Sequence, residues 1–408
     1  MLKLNKIEFM KKFLLGLLAI SFLSVSVIAQ DDTEKKDESY VFTLKKEVKT
    51  TPVKDQYRAG TCWSYSGLAF IESELLRLGK PEIDLAELFI VRYTYNDKAE
   101  KYVRMHGEIN FSGGGAFHDV FNVIKKHGIV PEEVYTGLNY GETNHVHGEL
   151  DAVLKGYVDA VIKNGNKKLS TAWLRGYNGI LDAYLGEVPE EFTYEGKKYT
   201  PQSFAEHLGI NTDDYINITS YTHHPFYEKF ILEIPDNWAW GTAYNLPMDE
   251  MMQVLDNAIN NDFTVCWGSD VSEKGFKWTR GFAVIPEEDR PDLDGLERDK
   301  WEKLSAREKE SLLYALDKPV PEKTITQEMR QEAFDNYLTT DDHGMLICGM
   351  GTDQNGTKYY YVKNSWAASN EYDGYFYASE SFVKYKTMNI VVHKDAIPKD
   401  LKKKMGIK

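Results

Sequence analysis

Cysteine is nearly absent from this chain: Cys62, Cys266 and Cys348 are the three among 408 residues. Three cysteines cannot make a disulfide framework, so stability has to come from an ordinary hydrophobic core. A composition 42% hydrophobic and 13% aromatic provides for one large or two medium domains. Cys266 and Cys348 sit in apolar runs, F-T-V-C-W and M-L-I-C-G-M, and are expected as buried free thiols rather than a mutual bridge. Positive charge is also in deficit. A formal net charge of −14 disfavours nucleic acid and anionic membranes as partners. Metal-ligand patterns are lacking: there is no H-E-x-x-H, and His145-x-His147 and His223-His224 have no cysteine nearby. Both histidine pairs are read as surface residues, and neither metal nor other cofactor is expected. Internal repeats and low-complexity tracts are missing too.

One long hydrophobic run is present. It covers Phe13–Ala29, follows Lys11 and Lys12, and ends with Val27 and Ala29 at small-residue cleavage positions. This pattern predicts a signal peptide over 1–29 rather than a membrane-spanning helix, with Met10 as a second candidate start. A secreted or periplasmic protein, free of the membrane once cleaved, is therefore expected. No cysteine follows the run to carry a lipid. Residues 30–46 open with Q-D-D-T-E-K-K-D-E-S and are read as a polar leader.

The string Q-Y-R-A-G-T-C-W-S, Gln56 to Ser64, puts Cys62 at the mouth of a predicted helix that stops at Gly79. A helix start gathers unpaired N–H groups and positive partial charge, which favour a thiolate. Downstream are His343, in D-D-H-G-M, and Asn364, in V-K-N-S-W. Together they have the chemistry of a nucleophile, a general base and an orienting group. Gln56 is the candidate side-chain donor to an oxyanion.

These strings resemble the papain-like cysteine peptidases. The segments Thr51–Gln56 with Gly60–Ser66, Asp342-His343-Gly344 and Asn364-Ser365-Trp366 are similar to that family's cysteine, histidine and asparagine segments. Gly113-Gly114-Gly115, followed by K-K-H-G-I-V-P-E-E-V-Y, resembles its glycine wall. Thr264–Val271 and Asn389–Lys394 are similar to the bleomycin hydrolase and aminopeptidase C branch. The resemblance implies peptide substrates, with Gly114, Gly115 and Trp366 on the substrate side and Trp366 shielding the His–Asn bond. It also implies a C-terminal arm whose last residue, here Lys408, captures a substrate amine, and a homo-oligomer that is hexameric in that branch. An aminopeptidase on short peptides is expected. The alternatives are an endopeptidase with an open cleft and a catalytically silent papain-like binding protein. About twenty residues separate Ala29 from Thr51, too few for the inhibitory propeptide of many relatives. The chain departs from the family pattern at Ala367, where glycine usually follows Asn-Ser-Trp, and at Tyr57, where papain itself has glycine.

The expected fold is α+β, papain-like and two-lobed. A helical lobe holds a central nucleophile helix, Cys62–Gly79, and a second helix, Phe117–His127. An antiparallel, β-barrel-like lobe uses strands near 263–270, 281–285, 344–350, 358–364, 374–377 and 388–392, with Asp353–Gly356 as a hairpin turn. The peptidase domain spans 47–393, with a helical insertion at about 136–261 and a charged one at about 286–335. Residues 394–408 form the tail, read as an extended arm in preference to a helix starting at Pro398.

Overall fold

The computed structural model describes residues 39–407. The expected signal peptide, the start of the leader and Lys408 lie outside the described residues. The leader is shorter than expected, because Phe42–Glu47 is strand β1 and pairs with β10. Its residues alternate half-buried and exposed, the pattern of a strand with one face on the core.

Helix α1 (Cys62–Arg77) is the axis of the first lobe and is buried continuously from Trp63 to Leu75. Gly79 then takes φ +76, a left-handed conformation suited to ending a helix. Glu72, within the buried stretch, accepts from Thr51 Oγ1 at 2.5 Å and from the Leu85 N–H at 2.9 Å, and meets Lys54 at 3.1 Å. Those partners offset the cost of a carboxylate inside. Helices α2 (Glu87–Arg104) and α3 (Phe117–His127) pack around α1. Helices α4 (Gly148–Ile162) and α5 (Trp173–Leu185), the hairpin β2 (Phe192–Tyr194) with β3 (Lys197–Tyr199), and α6 (Pro201–Leu208) extend the same core.

The segment expected as a helical insertion is only half helical. Strands β4 (Tyr215–Thr219), β5 (Lys229–Ile231) and β6 (Thr242–Asn245) join the main sheet before α7 (Met248–Asn260). They are short and carry polar residues at alternate positions, so no apolar run announces them.

The remaining strands are β7 (Val265–Ser269), β8 (Phe276–Lys277), β9 (Phe282–Ala283), β10 (His343–Asp353), β11 (Lys358–Lys363), β12 (Tyr375–Ser379) and β13 (Thr387–His393). The sheet has 11 strands in the order β5-β6-β4-β13-β7-β10-β11-β12-β9-β8, with β1 on β10, and it is open rather than barrel-like. All pairs are antiparallel except β12 with β9 and β4 with β6. Gly356, at φ +84, makes the β10–β11 turn. Between β9 and β10 the charged insertion folds as α8 (Gly295–Glu302), α9 (Ala306–Leu313) and α10 (Gln327–Asp335).

The sheet has two apolar faces. Cys266, Leu346 and Val391 point to the α1 lobe, whereas Val265, Trp267, Met345, Ile347, Ile390 and Val392 point to a second core. That second core takes α7, α11 (Glu380–Lys386) and α12 (Lys399–Met405). The tail is therefore not an extended arm through Ile407. It is a helix starting after Pro398, anchored by buried Leu401 and Met405 and by Lys404 to Glu250 at 2.5 Å.

Candidate active site

Cys62 is the first residue of α1, and His343 is the first residue of β10. Both line one cavity between the lobes, together with Gly115, Asp236, Asp341 and Gly344. His343 Nε2 lies 2.7 Å from Asn364 Oδ1, just past the end of β11, so the ring's Nδ1 is the nitrogen left for the thiol. The Asn364 oxygen also accepts from the Ser365 N–H at 2.8 Å, which fixes the amide. Trp366 stacks on the imidazole with centroids 4.5 Å apart at 26°, and Phe276 and Trp278 meet it edge-on. The indole covers the His–Asn hydrogen bond from water.

Gln56 is buried beside this group but does not line the cavity. Its Oε1 accepts from Ser365 Oγ at 2.6 Å and its Nε2 donates to the Ala59 carbonyl at 2.8 Å. An amide nitrogen has two protons, so one remains. Two non-glycine residues near the site take left-handed backbone: Tyr57 has φ 50 and Ala367 φ 53. A Cβ in the left-handed region costs about 1–2 kcal/mol, and the hydrogen bond from the Ala367 N–H to the Lys54 carbonyl at 3.2 Å helps hold that turn.

Burial pushes the Cys62 thiol up to about 12; the Gly344 and Trp63 N–H groups oppose this, while Asp341 and Asp236 add to it. Burial likewise lowers His343 to about 4, against the Asn364 bond. Each charge alone is disfavoured in so dry a site. A thiolate and an imidazolium formed together would offset each other's cost.

Of the expected substrate wall, Gly115 keeps both backbone groups free of internal hydrogen bonds among the described residues, and Gly114 does not. The Gly114 carbonyl takes Lys98 Nζ, and its N–H donates to Ser112 Oγ at 3.4 Å. A Cβ at Gly114 would fall 2.0 Å from Asp236 Oδ2, so the Asp236 carboxylate covers that glycine. Of the two glycines, Gly115 is the one that lines the cavity. Asp236 and Asp341 were missed at the sequence level. Asp341 stands two residues before His343 in plain view, but Asp236 lies in an insertion with no motif around it. Lys408, the expected amine-capturing end, lies outside the described residues, and no described tail residue lines the cavity.

His145 and His147 are buried, not surface residues, and burial lowers each to about 4. The chain around them is drawn in by the Arg58–Val146 bridge. His223 and His224 are accessible and share Glu233, at 2.7 and 3.4 Å; their ligand atoms and that carboxylate could approach one cation, apart from the Cys62 cavity. Cys266 and Cys348 are free and buried, and Trp238 is buried rather than a pocket lining residue of the Cys62 cavity.

The two-lobed, papain-like arrangement with a cysteine and a histidine lining one cavity between the lobes defines a class, the cysteine-type peptidases. The chain belongs to the Peptidase C1-like family, whose profile matches residues 90–286 and 314–407. That match begins after Cys62, so the cysteine segment stands on its geometry. The chain is 23% identical over 396 residues to aminopeptidase G of Lactobacillus delbrueckii subsp. lactis, covering 87% of this chain and 83% of the relative. It is 22% identical over 419 residues to aminopeptidase C of Listeria monocytogenes, covering 92% and 87%. A crystal structure of PepW from Lactobacillus rhamnosis HN001 superposes with a TM-score of 0.66 at 19% identity, over 89% of this chain and 84% of that one, a likeness of fold.

Proposed function

We propose that the protein is an aminopeptidase that cuts short peptides through a Cys62 thiolate. The observation that carries this reading is the single cavity holding Cys62 and a His343 ring whose far nitrogen is held by Asn364 at 2.7 Å. His343 Nδ1 takes the thiol proton as Sγ attacks the substrate carbonyl. The oxyanion is met by the Cys62 N–H, which has no internal partner among the described residues, and by the spare amide proton of Gln56 buried beside this group. Collapse expels the amine, which receives the proton from His343, and water then frees the acyl group by the reverse use of the same base. Exopeptidase action is supported by relatives bearing the names aminopeptidase G and C.

Hydrolysis of alanyl-amidomethylcoumarin and its N-acetyl form tests the reading. Turnover of the free-amine substrate, with the blocked one poor, is expected. Equal cleavage of both, or preferred cutting inside longer blocked peptides, would make it an endopeptidase; no turnover of any peptide would make it a silent scaffold. Export is proposed on the Lys11-Lys12 and Phe13–Ala29 pattern, and N-terminal sequencing of protein from its host should give a start at Gln30.

A further inference from the structure

If the enzyme trims from the amino end, something must stop the chain one residue past Cys62 and recognise a positive amine. The tail helix α12 packs in the second core instead, with Ile407 against the same cluster. The loop between β5 and β6, Leu232 to Gly241, is better placed. It crosses to the helical lobe and is fastened there: Trp238 Nε1 donates to Asp119 Oδ2 at 3.0 Å, and Asp119 also accepts from the Ala116 N–H at 2.9 Å. Asn237 braces the loop from within, donating to the Leu232 and Gly241 carbonyls at 2.8 Å each and accepting from the Gly241 N–H at 2.7 Å.

This bracing sets Asp236 on top of Gly114, held by Asn110 Nδ2 at 3.0 Å. A longer peptide running along the glycine wall would meet that carboxylate. The same cavity is lined by Asp341, just before β10, which is half-buried and makes no hydrogen bond among the described residues. A carboxylate that lines a cavity without a protein partner is free to take a charge-assisted hydrogen bond from a cation.

We propose that Asp236 and Asp341 together bind the α-ammonium group of the substrate, and that the 232–241 loop, rather than the chain's tail, makes the enzyme an exopeptidase. The inference rests on the aminopeptidase reading above. An ammonium has three donors and can bridge two carboxylates. Burial and the opposed Asp236 charge hold Asp341 near 7, and burial raises Asp236 against Lys98, as expected of an acid pair awaiting a cation. The same two carboxylates raise the Cys62 thiol, so a bound ammonium would also ease its ionisation.

The test compares kcat and KM for alanyl- and N-acetyl-alanyl-amidomethylcoumarin in the full chain, in Asp236→Asn, in Asp341→Asn and in a chain ending at Met405. Loss of one charge-assisted contact corresponds to about 10- to 100-fold. Each Asn variant should lose that factor in kcat/KM for the free-amine substrate, chiefly through KM, while the blocked substrate is cut as well as before or better. Truncation should leave the preference intact. An unchanged preference in both Asn variants, or a preference that collapses on truncation, would overturn the proposal. Should Asp236→Asn lose its fold with the Asn110 contact, Asp341→Asn decides alone, since that side chain holds no internal bond. A full chain that cuts neither substrate, or both alike, fails the aminopeptidase reading itself, and the variants are not needed to see it.

Discussion

Cys62 and Cys266 are two thiols bound to the same turn of α1. Cys266 Sγ donates to the Ser66 carbonyl at 3.6 Å, and Ser66 Oγ donates to the Cys62 carbonyl at 2.7 Å. Burial raises both. Yet Cys266 faces a carbonyl acceptor in mid-sheet, sealed from solvent, and nothing there favours a thiolate. Cys62 faces the Gly344 and Trp63 N–H groups and shares an open cavity with His343. The two sulfurs thus differ in the dipoles that face them and in the access of a partner base, not in depth alone.

The sharpest break of this comparison is substitution. Cys62→Ala should abolish peptide hydrolysis, a loss of at least about 10⁴-fold, since members of such a catalytic group act as a unit. Cys266→Ala should leave turnover within a few-fold and lower Tm instead, because it opens a void in the sheet-to-α1 packing. Steady-state rates and thermal melts on the two variants would reverse the comparison if the losses were exchanged. Gln56→Ala should cost roughly 10²–10³ in kcat with little change in KM, the mark of a group acting on the oxyanion. A change in KM alone would remove Gln56 from that role. Asn364→Ala should keep measurable activity, because the side chain orients His343 rather than reacting.

The smallest effect concerns a histidine outside the cavity. His147 is buried, and neither ring nitrogen has a hydrogen-bond partner among the described residues. Its folded value, about 4, lies below the ordinary 6.5. Between those values the unfolded chain binds the proton and the folded one does not, so stability contributed at this site falls as pH falls from 6.5 toward 4. Tm measured across that window should fall less steeply for His147→Leu than for the parent. Parallel curves would contradict the assignment.

Much of this was legible in the sequence, and for physical reasons. Cys62, His343 and Asn364 stand in short strings with strong local signals, and the α1 and α3 spans follow from apolar density and glycine stops. Strand β10 carries the apolar stretch Met345–Met350 and β11 is rich in aromatic residues, with Asn355-Gly356 between them. What was not legible depends on distant partners. Strands β4 to β6 are short and interrupted by polar residues, and they form because β13 offers an edge to β4. His145 and His147 are buried by tertiary packing that a polar string does not announce. The α12 helix could be foreseen from Pro398, but its burial depends on the α7 surface. Asp236 reaches Gly114 across 122 residues of chain, a contact that no local pattern encodes.

Cys62, alone of the three cysteines, is the proposed nucleophile. Treatment of the native protein with one equivalent of a thiol-reactive peptide epoxide, followed by intact mass and peptide mapping, tests it directly. One adduct per chain, on the peptide carrying Cys62, with activity lost in step with labelling, is the predicted result. Adduct on Cys266 or Cys348, or full activity in protein labelled at Cys62, would contradict it.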